Sequence, residues 1–182
     1  MTYEGCRAFR PDLILAYGWS WIIKKEFLDL APCVCLHPSP LPKYRGGSPI
    51  QHQIINGEKE STVTLFYMTE RIDAGDVILQ EKISLEGHLQ DILGRITAKG
   101  IKLTKEMLAG KLSATPQNEA QATFFKRRQP HQSELRPEDF NNKSAEALHD
   151  FIRALEDPYP NAFIRCKNGK KLLVKRSEIF EG

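Results

Sequence analysis

The 182-residue chain has a net charge of +3, with 41% apolar and 27% charged residues, enough for a packed core under a polar surface. No apolar run approaches the roughly 18 residues of a membrane-spanning helix, and the first residues lack the basic-then-apolar pattern of a secretory leader. The four cysteines, Cys6, Cys33, Cys35 and Cys166, are too few and too scattered for a disulfide framework. Cys33 and Cys35, with no second Cys or His cluster, also make a poor zinc site, so a cytoplasmic protein with no metal and no membrane association is expected.

Residues 12–17 (DLILAY) form a short continuous apolar run, the pattern of a strand buried on both faces. Residues 20–30 mix Trp21, Ile22, Phe27, Leu28 and Leu30 with charges, which predicts an amphipathic helix. Residues 33–37 (CVCLH) read as a second buried strand, and the three together predict a βαβ unit in a parallel sheet. A loop dense in Pro, Ser and Gly follows over residues 38–47, and then Ser48 as cap and Pro49 as first residue begin a helix that stops at Gly57. Residues 62–68 and 77–85 are predicted strands joined by a polar loop. Residues 88–108 carry Leu89, Ile92, Leu93, Ile96, Ile101, Leu103 and Leu108 at helical spacing, with Gly110 at the stop.

After Gly110 the character changes. Residues 113–138 are polar and proline-bearing and read as an extended linker; residues 144–156 read as a short helix. Residues 164–166 and 172–175 flank Asn168-Gly169, a strong hairpin signal. These features predict an α/β fold with a parallel sheet over residues 1–128 and a small helix-hairpin tail over 129–182. Basic residues gather at Lys126-Arg127-Arg128 and over 167–176, either as solvated surface or as a phosphate contact.

The stretch with most chemistry is residues 37–50, HPSPLPKYRGGSPI. It places an imidazole at the end of a strand, where α/β sheets bind ligands, followed by a stiff loop and a Gly-rich helix start. Thirty-six residues further on comes Asp73, on the Gly-bearing loop RIDAGD between two strands. Taken singly, His37 suits a core histidine and Asp73 an ordinary turn residue. Together, with this loop between them, they make a candidate catalytic pair.

The segment CLHPSPLPKYRGGSPIQHQIINGEKESTVTLFYMTERIDAGDVI resembles the core of the 10-formyltetrahydrofolate-dependent formyltransferases. That family includes enzymes that formylate methionyl-tRNA, glycinamide ribonucleotide and nucleotide-linked amino sugars. Its motif is Asn-x-His-(Pro/Gly)-Ser-Leu-Leu-Pro-x-(Tyr/Trp)-Arg-Gly, followed by an Asp-x-Gly loop. The clear similarity spans residues 11–83 and weaker similarity reaches 163. The resemblance implies transfer of a formyl group from 10-formyltetrahydrofolate to a primary amine, with no metal. It implies that His37 handles the proton of the attacking amine and that Asp73 supports its charged form. Ser39, Pro40, Leu41 and Pro42 would lie along the folate, and the backbones of Trp19, Ser20, Trp21, Ile72 and Ala74 would flank its pterin. Cys35 falls where the family has the asparagine that donates to the oxyanion, and a thiol is a weak donor.

The resemblance further implies a partial doubly wound, Rossmann-like sheet of the formyltransferase type, because family members begin with another half of the doubly wound domain; a fragment, or a short form with weak or no activity, is therefore an expectation. Ala122-Thr123, Arg127-Arg128 and the run LEDPYPNAFI over 155–164 are similar to the sugar N-formyltransferases. An amino sugar on a nucleotide is therefore the expected acceptor, with methionyl-tRNA the alternative and a homodimer possible. A catalytically impaired folate- or sugar-nucleotide-binding module is the reading from another class.

Overall fold

The computed structural model describes residues 2–19, 21–110 and 113–181. A short helix α1 (Tyr3–Phe9) leads into strand β1 (Ile14–Tyr17), helix α2 (Lys25–Leu28) and strand β2 (Cys33–His37). Next come β3 (Arg45–Gly46), α3 (Pro49–Ile55), β4 (Glu60–Tyr67), β5 (Val77–Ser84) and the long helix α4 (Leu89–Leu108). The C-terminal part holds β6 (Phe124–Phe125), α5 (Pro137–Asn142), α6 (Ala145–Arg153), β7 (Ala162–Arg165) and β8 (Lys171–Val174).

The main sheet has the order β1-β2-β4-β5. The α/β class and the parallel β1–β2 pair are as the sequence predicts, but β4 runs antiparallel to β2, and β5 antiparallel to β4. The reason lies in the connections. Helix α3 stays at the end of the sheet where β2 stops: on it, Gln53 donates to the Pro38 carbonyl and accepts from the Ser61 hydroxyl, so the chain enters β4 from the end at which it left β2. His37 at the end of β2 therefore pairs with Thr64 in the middle of β4.

The core lies between this sheet and α4. Leu89, Ile92, Ile96, Leu103 and Met107 form the buried stripe of α4, packed with Val34, Val63, Leu65 and Ile83. Ile101 and Leu108, which fit the apolar spacing, are exposed; Met107 is buried. Strand β1 is at the sheet edge, so Leu15 and Tyr17 are exposed rather than covered on both faces. The predicted helix over 20–30 shrinks to α2, leaving Trp21 and Ile22 exposed outside it. Among the described residues no helix is long and apolar enough to cross a membrane.

The polar segment after α4 is not a free linker. Thr115 exchanges both backbone hydrogen bonds with Val77, and β6 pairs in parallel with β3. Beyond it, Leu135, Ile152, Leu155 and Ala162 form a second small core. Buried Arg153 ties this core to the first, donating to Asp150 and to the carbonyls of Leu85 and Gly87. The hairpin predicted at Asn168-Gly169 is the β7–β8 pair.

Candidate active site

Strand β2 carries His37 to the end of the sheet, where it is buried against the edge of Phe66. The loop after it turns sharply: the N–H of Ser39 donates to the His37 carbonyl and that of Leu41 to the Ser39 carbonyl. Tyr44 then takes a left-handed conformation (φ 60°), which aims its carbonyl at Nε2 of His37, 2.9 Å away. A carbonyl only accepts, so Nε2 carries the proton and the neutral ring keeps its lone pair on Nδ1. Nδ1 stands 3.7 Å from Oδ2 of Asp73.

Asp73 is also left-handed (φ 49°), as is Ser48 (φ 55°). Non-glycine residues hold this conformation where their surroundings impose it, and three of them gather at one site. The carboxylate Oδ2 of Asp73 accepts the backbone N–H of Gly46 at 2.7 Å. Gly46 itself has φ 97°, and a side chain there would strike the carbonyl oxygen of Phe125 on β6. The Gly in the Arg-Gly-Gly sequence is thus demanded by the passing segment as well as by its own backbone.

Cys35 is buried beside Leu41 and Phe66. Burial, helped by the Asp73 carboxylate, pushes its thiol up to about 12, so at neutral pH it is protonated and not a nucleophile. Its Sγ lies 3.6 Å from the Leu36 carbonyl, a weak hydrogen bond. All four cysteines are free thiols.

These groups open into a cleft of about 670 Å³, whose walls include Trp19, Trp21, Ile72, Asp73, Cys35 and His37. The structure therefore brings together His37, Asp73, Cys35, Trp19, Trp21 and Ile72. Ser20 lies outside the described residues. Ser39, Pro40, Leu41, Pro42 and Ala74 do not line the cleft. Ser39 and Leu41 are buried beneath it: the Ser39 hydroxyl donates to the Lys43 carbonyl, and its own carbonyl accepts from the Thr64 hydroxyl. The loop shapes the site from below. Among the described residues no group of three His, Cys, Asp or Glu is placed to hold a metal ion.

Other residues reach the site from beyond the His37 and Asp73 loops. Arg127, Arg128, Ser133 and Tyr159 line the far wall of the cleft, from the segment after β6 and the small second core. Ser48, expected as a helix cap, makes no cap hydrogen bond to α3; its hydroxyl accepts the N–H of Arg128 instead. Arg45, wholly buried, donates to Gln117 and Glu119, and Arg71 donates to the same Glu119. Arg45 and Arg71 hold the Glu119 carboxyl down at about 2. Only the Arg-Gly of the motif hinted at this network. Its acceptors lie more than seventy residues away.

Residues 2–112 match the Formyl transferase family, and residues 135–182 match the Formyl transferase C-terminal domain. The chain is 37% identical, over 193 residues, to a methionyl-tRNA formyltransferase of Macrococcus caseolyticus, an alignment covering 100% of this chain and 59% of the relative. It thus spans about three fifths of the length of that curated relative. The solved methionyl-tRNA formyltransferase from Clostridium thermocellum superposes with a TM-score of 0.80 at 34% identity, covering 100% of this chain and 83% of the other. A sugar N-formyltransferase from a Shewanella species also gives a TM-score of 0.80, covering 98% and 74%, but at 19% identity it speaks for the fold alone. On its sequence and its architecture, the chain belongs to the formyl transferase family.

Proposed function

We propose that this chain carries the catalytic centre of a transferase that moves the formyl group of 10-formyltetrahydrofolate to the amine of methionyl-tRNA. The observation that carries the reading is the His37–Asp73 pair, 3.7 Å apart at the cleft, with the ring's second nitrogen bonded to Tyr44. Bound in the cleft, the folate supplies an electrophilic formyl carbon, and Trp19, Trp21 and Ile72 offer apolar wall for its flat heterocycle.

The remaining chemistry falls to the chain. An amine that attacks a formyl carbon gains positive charge and must lose a proton. Nδ1 of His37 is the free acceptor, the Asp73 carboxylate stabilises the imidazolium that results, and the imidazolium hands that proton to the folate nitrogen as its bond to the formyl carbon breaks and tetrahydrofolate leaves. Gly46, by fixing Oδ2, keeps that charge in place. Cys35 offers only a protonated thiol where the family has an amide donor. Loss of one oxyanion donor costs about 10²–10³ in turnover, which makes this a slow catalyst.

The amino-sugar acceptor expected from the sequence gives way to the tRNA. Relatives named for methionyl-tRNA stand at 33–37% identity, against 19% for the Shewanella sugar enzyme. Within the run 155–164 that suggested a sugar, Ala162 and Phe163 are buried, so packing accounts for them, while Leu155, Tyr159 and Pro160 line the cleft. Arg127 and Arg128 at the cleft and Lys171 and Arg176 near the hairpin supply positive charge for a nucleic acid, while Arg71 and Lys175 are paired with Glu119 and Asp157. The division near residue 128 belongs to the same reading: a catalytic part and a small tail that helps hold the acceptor.

The test is a single-turnover assay with 10-formyltetrahydrofolate and either methionyl-tRNA or an amino-sugar nucleotide. Formyl-methionyl-tRNA should form, slowly, and its formation should weaken steeply with salt. Formylation of the sugar nucleotide alone would overturn the acceptor. Saturable binding of 5-formyltetrahydrofolate with neither product would select the impaired binding module.

A further inference from the structure

Gln117 lies in the stretch that reads as a linker, yet all four hydrogen-bonding positions of its side-chain amide are filled. Oε1 accepts from Nε and Nη2 of buried Arg45, at 3.1 and 2.7 Å. Nε2 donates to the carbonyls of Asp73, at 3.0 Å, and Gly75, at 2.6 Å. The amide orientation is forced, because the reversed one would set an NH₂ against a guanidinium and an oxygen against two carbonyls. Two residues earlier, Thr115 is locked to Val77 by a pair of backbone bonds of 2.8 and 2.9 Å, so the backbone near Gln117 is anchored.

The loop that Gln117 grips is the one that needs a grip. Asp73 holds a left-handed backbone unfavourable for a residue with a side chain, and it has to present Oδ2 to both His37 and Gly46. Gln117 bonds the carbonyl of Asp73 itself and that of Gly75 two residues on, one on each side of Ala74. Arg45 in turn cannot swing away: it is fully buried, and its outer nitrogens are engaged by both oxygens of Glu119.

We propose that Gln117 is a positioning residue for the reaction, clamping the Asp73 loop so that the carboxylate stays in register with Nδ1 of His37. Arg45 and Glu119 hold the clamp itself. The segment after α4 is thereby part of the catalytic apparatus although it places no group on the substrate. The proposal rests on His37 and Asp73 being the working pair.

Two variants separate the clamp from plain stability. Gln117→Glu keeps an oxygen for Arg45 but sets the other carboxylate oxygen against the two loop carbonyls; Gln117→Ala removes both contacts. The amide proton of Gly46, which bonds Asp73, reports the carboxylate position by NMR without any turnover. Expected in both variants are a native circular dichroism spectrum, a displaced Gly46 amide resonance and faster hydrogen exchange over residues 72–76. In formylation of methionyl-tRNA, kcat should fall about 10- to 100-fold, while KM for the folate rises by less than the fall in kcat because only Ile72 of the cleft's apolar wall lies on the loosened loop. An unmoved Gly46 resonance and unchanged exchange in Gln117→Glu would overturn the clamp. A loosened loop with unchanged kcat, or failure of both variants to fold, would reduce Gln117 to a structural brace and overturn the positioning role. If the unmutated protein formylates nothing, the proposed function fails, while the Gly46 resonance and the exchange rates still decide the clamp.

Discussion

The carbonyl of Tyr44 stands 2.9 Å from Nε2 of His37, and this contact decides which ring nitrogen is free to take a proton. It fixes the tautomer from a residue seven positions away, and it depends on Tyr44 adopting a left-handed backbone. The Nδ1 lone pair then faces Asp73.

The first prediction follows from that geometry. His37→Gln removes the proton acceptor and should lower kcat by about 10²–10⁴-fold. Asp73→Asn is the finer probe, because its amide oxygen can still accept the N–H of Gly46 while the charge is gone. Asp73→Asn should also lose about 10²-fold in kcat. Titration with 5-formyltetrahydrofolate should give similar affinities for both variants and the parent. A lost affinity would place these residues in donor binding instead.

Acid stability should depend on Glu119. Its folded carboxyl is held at about 2, from an ordinary 4.5, first by hydrogen bonds from Arg45 and then by Arg71. The folded value is the depressed one, so the ion pairs stabilise fully above about pH 4.5 and lose that contribution as pH falls toward 2. Glu119→Gln should therefore flatten the fall in denaturation midpoint across this window. The effect will be muted by salt, because half of the Glu119 side chain faces solvent. A parent and variant with parallel acid profiles would show that the network adds nothing to stability.

The loop around Asp73 should tolerate no side chain at Gly75. A methyl group there would overlap the carbonyl oxygen of Tyr67 and stand 3.2 Å from Cγ2 of Thr69. Gly75→Ala should cost about 3 kcal/mol, as overpacking does where backbone has to move, and urea denaturation measures it. A loss under about 1 kcal/mol would mean that the loop shifts freely, which is incompatible with a fixed Asp73.

What the sequence disclosed and what it hid divide along a physical line. The strand carrying His37, the Asp73 loop, the long helix and the Asn168-Gly169 turn were legible because each is written in a local pattern. The antiparallel run of β4 was not, since apolar alternation carries no strand direction, and the Gln53 contacts that keep α3 at the His37 end of the sheet leave no local pattern. Trp21 and Ile22 have the spacing of a buried helix face, yet they stand exposed at the cleft. The Arg45–Gln117–Glu119 network was invisible for a different reason. Its members are far apart in sequence, and a polar, proline-bearing segment reads as a linker until its hydrogen-bond partners are seen.

Cys35 supplies the last prediction. It lines the cleft beside His37, and burial with the nearby Asp73 pushes its thiol up to about 12. A protonated, buried thiol should resist iodoacetamide at pH 8, whereas exposed Cys166 should react readily. Cys35→Asn restores a strong N–H donor on a wall of the cleft beside His37. The charge on the formyl oxygen grows only as the amine attacks, so a donor aimed at it raises kcat and leaves folate affinity nearly unchanged. The gain should be on the order of 10-fold, below the full value of one oxyanion donor, because the longer side chain has to fit between Leu41 and Phe66. Single-turnover rates with saturating folate measure it directly. A rate that falls while folate still binds would show that Asn cannot reach the formyl oxygen from this strand, and that the protein relies on other donors there.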